Sequence, residues 1–186
     1  MKTAQPAGIN AIPWRGVWVG LDWQVDCWPA GEHRIAFRKD LELPAAPRRA
    51  RVRICANVNY SLWVNGRFAA YGPARAFPAN QIYDIVDLAP WLWRGVNRLG
   101  VLIEGPTGAT GYRITTRMGL IVDGNIETAR RSIPLFTDTS WLARRADWYQ
   151  PTGLLSSLPT TFQEHVDGRK TPRGWLTRPP DQSWQP

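Results

Sequence analysis

Cysteine, histidine and lysine are scarce in this sequence. Its two cysteines, Cys27 and Cys55, are too few for a disulfide framework, and their spacing matches no metal or redox motif. Its two histidines, His33 and His165, are far apart, and a metal site needs more ligands than one histidine and a neighbouring acid supply. The sequence therefore predicts no cofactor, and a structural calcium held by loop carbonyls and carboxylates would leave no spacing to detect.

Long apolar runs are also missing, and none approaches the roughly 20 residues that span a membrane. Residues 1–12 lack the apolar stretch of a secretory signal, so we expect a cytoplasmic chain with no membrane partner. The formal net charge is +8, but only three of the 23 basic residues are lysines, and the arginines are scattered. Nucleic-acid binding normally clusters such charges on one surface, so no nucleic-acid partner is predicted.

Aromatic residues are what the sequence has in abundance, with 11 Trp, 5 Tyr and 5 Phe in 186 residues. This length fits one domain, and the aromatic bias favours strands. From residue 14 to about residue 130, short alternating stretches are separated by turn residues. This pattern is typical of a β-sandwich or barrel, and two facing antiparallel sheets would bury the apolar stripes.

The local pattern predicts individual strands and turns. Asn65-Gly66 follows an alternating stretch and tolerates the positive φ of a tight hairpin turn. Arg51 and Arg53 alternate with apolar residues, so we expect them to face solvent. Asp123-Gly124-Asn125 are residue types common in turns, so they are predicted to form the next turn. The other predicted elements are strands at residues 33–43, 60–64, 67–70, 81–86, 99–103 and 113–122, with one helical turn capped by Asp87.

The character of the sequence changes after Ile133, where prolines recur and the alternation fades. We therefore divide the chain into an N-terminal tail (1–13), a sandwich core (14–132) and a Pro-rich C-terminal extension (133–186). The extension is expected to wrap over the sandwich, add a strand at residues 162–167 and lead toward a following domain. Its tryptophans, Trp141, Trp148, Trp175 and Trp184, are expected to serve as anchors or as a domain interface. The predicted fold class is an all-β antiparallel sandwich.

Several blocks stand in an order that resembles a known domain. They read FRK at residues 37–39, YSLWVNG at 60–66, YGPAR at 71–75, TDTSW at 137–141 and DQSW at 181–184. In this order they resemble the galactose-binding-like, jelly-roll sandwich that precedes the catalytic barrel in bacterial α-L-rhamnosidases of glycoside hydrolase family 78. The resemblance covers most of the chain from Trp14 onward. It implies a noncatalytic accessory domain, since the barrel supplies the catalytic carboxylates of those enzymes.

Candidate sugar-binding residues lie at predicted loops. Proteins bind sugars with aromatic faces and with polar groups that hydrogen-bond the hydroxyls. Arg75, Tyr112, Trp148 and Glu104 fit these roles, and Glu104 ends an apolar strand before a glycine loop. We expect a shallow loop-edge site for a glycoside or oligosaccharide, with affinities near about 1 mM. The expected protein partner is a catalytic glycosidase domain in the same or a neighbouring chain.

A second reading is that the chain is itself a small glycoside hydrolase. Such an enzyme needs two carboxyl groups flanking the bond to be cut. Glu104 and a second acid such as Asp84 would supply them. Capping and loop hydrogen bonds account for Asp84 without catalysis, so we favour the accessory domain and assign no catalytic residue.

Overall fold

The computed structural model describes residues 13–21, 31–107, 118–150 and 164–186. Within these ranges the strands are β1 Gly31–Leu43, β2 Pro47–Ala56, β3 Asn59–Val64, β4 Arg67–Gly72, β5 Asp84–Asp87, β6 Gly95–Thr107, β7 Leu120–Thr128, β8 Ser132–Phe136, β9 Leu142–Arg145, β10 Tyr149–Gln150 and β11 His165–Val166. Short 3-10 turns lie at Pro78–Asn80 and Ala89–Trp91. No helix in these ranges has the length and apolar character to cross a bilayer.

The strands form two main antiparallel sheets. One has five strands in the order β4-β3-β6-β1-β9, and the other has four in the order β5-β2-β7-β8. Their inner faces share one apolar cluster, which includes Ile35 and Phe37 from the first sheet and Ile54, Leu120 and Val122 from the second. β10 and β11 form a separate two-stranded ribbon. The predicted all-β antiparallel sandwich is therefore confirmed.

The hairpin between β3 and β4 forms at the predicted dipeptide. Asn65 has φ of 53° and Gly66 has φ of 78°, the left-handed conformation that a tight hairpin turn needs. The Asn65 side chain also accepts a hydrogen bond from the amide of Arg98 at 2.8 Å. The Asp87 carboxylate accepts a backbone hydrogen bond as predicted, from the Ala89 amide at 3.1 Å, but the N-cap residue of this turn is Leu88.

The turn predicted at Asp123-Gly124-Asn125 is wrong. These residues lie inside β7, paired with β2 on one side and β8 on the other. Gly124 is needed there for close approach, since an added Cβ would lie 2.2 Å from the carbonyl oxygen of Arg51. The chain reverses later, where the amide of Thr128 donates to the carbonyl of Arg131 at 3.0 Å.

Both sheets extend past the expected core boundary at residue 132. β8 joins the four-stranded sheet and β9 joins the five-stranded sheet. Residues 164–186 then pack on the outer face of the five-stranded sheet, where Trp175 and Trp184 join Ala36 and Leu102 in a second apolar cluster. β11 falls within the strand predicted at 162–167, of which residues 162 and 163 lie outside the described residues.

Residues 13–21 cover part of the other outer face, that of the four-stranded sheet. Val19 pairs with Leu120 in an isolated bridge, and the hydroxyl of Thr137 donates to the carbonyl of Val17 at 2.6 Å. Trp14 and Trp18 pack there against a cluster of Cys55, Tyr83 and Ile121. Each outer face is therefore partly covered by a segment from one end of the described chain.

Candidate functional site

The four predicted sugar-binding residues occupy different environments. Arg75 is exposed in the stretch that follows β4, and Tyr112 lies outside the described residues. Glu104 is in β6, half-buried on the outer face of the five-stranded sheet, and Trp148 is buried just before β10. Tyr149 and Arg34 link Trp148 to Glu104, whereas Arg75 is on a separate element.

Trp148 is not the exposed loop aromatic that its position suggested, because only 3% of it is exposed. Its ring centroid lies 6.0 Å from that of Tyr149 and 5.9 Å from that of Trp175. The guanidinium of Arg144 stands 5.6 Å from the ring centroid. Tyr149 and Arg144 are local neighbours from β10 and β9, whereas Trp175 comes from the distant C-terminal segment, and together they bury the Trp148 ring.

Glu104 belongs to a polar cluster centred on Arg34. One terminal nitrogen of Arg34 lies 3.3 Å from Glu104 Oε2 and 3.2 Å from Glu164 Oε1. The Arg34 guanidinium also stands 4.0 Å from the ring centroid of Tyr149, a cation-π contact. Burial, together with Glu164 and Glu104, raises the pKa of Tyr149 against the opposing effect of Arg34. The Tyr71 hydroxyl lies 3.4 Å from Glu104 Oε1 and completes the cluster.

The pair of acids considered for hydrolysis is not assembled. Asp84 accepts a hydrogen bond from the Tyr60 hydroxyl at 2.6 Å, and Tyr60 belongs to the core between the sheets. Glu104 pairs with Asn59, the residue before Tyr60, so it faces the opposite side of the sheet. The acid near Glu104 is instead Glu164, and Arg34 binds both carboxylates.

The histidines do not form a metal centre with other described residues. His33 is buried, and its Nδ1 lies 3.2 Å from an Arg145 guanidinium nitrogen. His165 is exposed in β11, and nearby Asp167 forms an ion pair with Arg169 at 2.9 Å. Over the described ranges no group of three or more His, Cys, Asp and Glu side chains could hold a metal ion.

A groove that the sequence did not predict lies on the outer face of the four-stranded sheet. This outer groove has a volume of about 610 Å³ and is lined by residues that include Trp14, Arg49, Arg51, Arg53, Asn125 and Glu127. Ligand sites typically enclose about 300–1,000 Å³. Arg51 and Arg53 do face outward as expected, but residues 13–15 build a wall beside them, so the face is more than a solvated strand surface.

Asp123 fixes the geometry of the outer groove. Arg53 donates to Asp123 Oδ2 at 2.7 Å, and the Nε of Arg15 donates to Oδ1 at 2.9 Å. Burial alone would raise the pKa of Asp123, but the hydrogen bonds donated by Arg15 and Arg53 outweigh it and lower the pKa. Asp123 therefore stays ionised and holds Arg53, whose guanidinium lies 4.3 Å from the ring centroid of Trp14.

Two antiparallel sheets with partly covered outer faces define a β-sandwich domain, and solved structures contain the same fold. No protein-family model matches the chain, and no match was found among curated proteins. A GH78 family rhamnosidase of Bacillus sp. GL1 matches 92% of this chain with 26% identity and a TM-score of 0.74, over 18% of its own length. An α-L-rhamnosidase from Dictyoglumus thermophilum matches 82% of this chain with 23% identity and a TM-score of 0.67, over 17% of its own length.

A lectin from Pleurotus ostreatus, solved in complex with GalNAc, matches 89% of this chain with 20% identity and a TM-score of 0.51, over 46% of its own length. The likeness to GH78 α-L-rhamnosidases predicted from the ordered sequence blocks is confirmed. The chain spans less than a fifth of the length of those two rhamnosidases, and so resembles one domain of such an enzyme.

Proposed function

We propose that this chain is a noncatalytic, carbohydrate-associated β-sandwich domain of an α-L-rhamnosidase-like glycoside hydrolase. It supports a catalytic domain in the same or a neighbouring chain and binds sugar weakly. The observation that carries the proposal is the match of 92% of this chain to a domain-sized part of the Bacillus rhamnosidase. The fold shared with a GalNAc-binding lectin supports an association with sugars.

The arrangement of the acids supports a noncatalytic role. Glycosidases hold two carboxyl groups about 5–9.5 Å apart with the scissile bond between them. Glu104 and Asp84 face opposite sides of β3 and β6, and Arg34 contacts Glu104 and Glu164 together. The guanidinium of Arg34 therefore lies between the two nearest described carboxylates and pairs with both of them.

Exposed aromatic side chains support a partner domain. Trp175 and Trp184 pack within the chain and do not form the interface considered from the sequence. Phe77, Phe68 and Trp93 are instead 72%, 56% and 48% exposed. A partner domain that covers these aromatic side chains would remove their apolar surface from water.

Sequencing the gene on both sides of this segment tests the partner. We expect a glycosidase catalytic domain in the same reading frame or in its neighbour, and its absence would contradict the proposal. The 186-residue chain should show no turnover of aryl α-L-rhamnosides or aryl galactosides. Turnover that Glu104→Gln abolishes would instead identify a hydrolase.

Titration with rhamnose and galactose, followed by amide chemical shifts, tests the weak binding. Dissociation constants near about 1 mM are expected for a shallow site with few aromatic contacts. Arg75→Ala and Tyr112→Ala test the predicted loop edge, and Arg94→Ala is a control at another exposed arginine. Shifts that saturate and are lost in the first two variants alone would support that edge. The absence of any shift would remove sugar binding from the proposal.

A further inference from the structure

The outer groove is a built feature of the fold. Its wall is residues 13–15, which are held by hydrogen bonds from Arg15 to Asp123, Asn125 and the carbonyl of Gly124. Its floor is the outward face of β2 and β7, where Arg49, Arg51 and Arg53 pair in register with Glu127, Asn125 and Asp123. The side chains of its floor therefore project from the two central strands of the sheet.

Positive charge in the outer groove exceeds what its acids neutralise. Four arginines line it, against the carboxylates of Asp123 and Glu127. The side chains of Arg49 and Arg51 make no ion pair or hydrogen bond with other described residues, and they are exposed. Arg53 Nη1 is buried without a hydrogen-bond partner among those residues. A buried donor without a partner is unfavourable unless a ligand or water satisfies it.

We infer that the outer groove is a subsite for an acidic saccharide, a sugar that carries a carboxylate or a sulfate group. The inference rests on the proposed association with sugars and names the class of sugar. Outward residues two apart in a strand are separated by about 6.6 Å, so Arg49, Arg51 and Arg53 form a row. A guanidinium binds an anionic oxygen pair through two parallel hydrogen bonds.

The remaining lining of the outer groove fits a sugar ring. Trp14 and Ile85 supply apolar surface for the C–H face of a pyranose, while Asn125 and Glu127 supply groups that hydrogen-bond hydroxyls. The volume of about 610 Å³ suits a short saccharide, whereas nucleic acids are bound along extended basic surfaces. The limited size of the outer groove therefore favours a short saccharide over a nucleic acid.

Amide chemical shifts of the 186-residue chain test the inference with three saccharides and one oligonucleotide. The probes are a galacturonic acid trimer, a sulfated galactose disaccharide, a neutral galactose trimer and a single-stranded oligo-dT. We expect an acidic saccharide to shift residues 49–53 and 123–127 and to bind at least about tenfold more tightly than the neutral trimer. The acidic probe that binds more tightly identifies which anionic group, carboxylate or sulfate, the groove prefers.

Two variants assign the charge. Arg51→Gln and Arg49→Gln should each weaken binding of the acidic saccharide about tenfold, because each removes a charged hydrogen-bond donor. Arg94→Gln changes the net charge equally, lies outside the groove and should leave the affinity within about twofold. High salt should weaken binding of the acidic saccharide and leave the neutral trimer unaffected.

Three outcomes would overturn the inference. These are equal binding of acidic and neutral trimers, equal effects of Arg51→Gln and Arg94→Gln, and tighter binding of oligo-dT than of either acidic saccharide. If the gene encodes a glycosidase and rhamnose shifts the loop edge, any of these results would overturn the acidic subsite alone. The proposed function would fail separately, through the absence of a glycosidase partner.

Discussion

Arg38 ties the C-terminal segment to the five-stranded sheet, and its replacement by methionine is a sharp test of that contact. Only 1% of Arg38 is exposed on the outer face of β1. Its Nη1 donates to the carbonyl of Trp175 at 2.8 Å, and its Nη2 donates to the carbonyl of Arg178. Its Nε donates to Asp40 at 3.0 Å, and Asp40 also contacts Arg98 at 3.3 Å.

The expected effect of Arg38→Met follows from those bonds. Hydrogen bonds that involve a charged group contribute about 1.5–3 kcal/mol each. Methionine keeps much of the apolar stem, and Asp40 keeps Arg98, so the main loss is the two bonds to backbone carbonyls. The freed carbonyl groups form hydrogen bonds with water when the segment loosens, and this offsets part of the loss. The expected decrease in unfolding free energy is therefore about 3 kcal/mol, the lower end for two such bonds. This decrease is a large share of the unfolding free energy of a typical domain, which is about 5–15 kcal/mol.

Two measurements check this prediction. Urea denaturation followed by circular dichroism gives the change in the free energy of unfolding. Limited trypsin digestion reports the segment itself, because cleavage after Lys170 and Arg173 should become faster when the segment detaches. Lys39→Met is the control, since Lys39 is 21% exposed and its ion pair at 4.0 Å should contribute less than about 1 kcal/mol. A loss below about 1 kcal/mol in Arg38→Met, with unchanged cleavage, would refute the reasoning.

The further predictions concern three residues of the four-stranded sheet. Gly124→Ala should destabilise the fold by about 1–3 kcal/mol in urea denaturation, because the new Cβ meets the β2 backbone. Burial, and then Asp84, raise the pKa of Cys55 to about 12, so in a Cys27→Ser background iodoacetamide should alkylate it at pH 8 only after unfolding. The same shift should lower stability as the pH rises from about 9 toward 12. The pKa of Asp123 is lowered, so its ionised carboxylate stabilises the fold. This contribution to the unfolding free energy is complete above the ordinary carboxyl pKa of about 3.9 and is lost as the pH falls through the lowered value. The variant Asp123→Asn should abolish that pH dependence.

Each of these predictions has a matched control or a contrary result. Gly168→Ala adds the same methyl group with nothing within 4 Å and should cost little. Rapid alkylation of Cys55 in the native chain would contradict its burial. An acid transition of the same depth in Asp123→Asn would assign that pH dependence to other carboxyl groups, and Asp147→Asn, an exposed acid outside the groove, should leave it unchanged.

The fold could be predicted where local rules decide the structure. Alternation placed the inward residues of β2, β3 and β6, and Asn65-Gly66 set the hairpin because few dipeptides adopt its backbone conformation. Similar turn chemistry failed at Asp123-Gly124-Asn125. There the glycine serves the close approach of β2, and the two polar side chains bind Arg15. A turn and a crowded polar strand can have the same residue types. Only the contacts with distant residues distinguish the two structures.

The sites were harder to predict because they join distant segments. Alternation correctly turned Arg51 and Arg53 outward, but it carried no signal that residues 13–15 would return to cover that face. The residues around Trp148 resemble a loop, so the sequence suggested an exposed aromatic side chain. Its burial depends on Trp175, which lies 27 residues further along the chain. The resemblance read from ordered blocks identified the right set of solved structures, because order along the chain reflects the fold as a whole.

The bridge between Ala143 and Gln185 has a consequence for assembly. The Ala143 amide donates to the Gln185 carbonyl at 2.6 Å, and the Gln185 amide donates back at 2.9 Å. β9 is the last strand on its side of the sheet, and an open strand edge of this kind invites pairing with a second molecule. The chain's own C-terminal residues occupy that edge, so a version cut before Gln185 would expose it and gain a route to sheet-to-sheet aggregation.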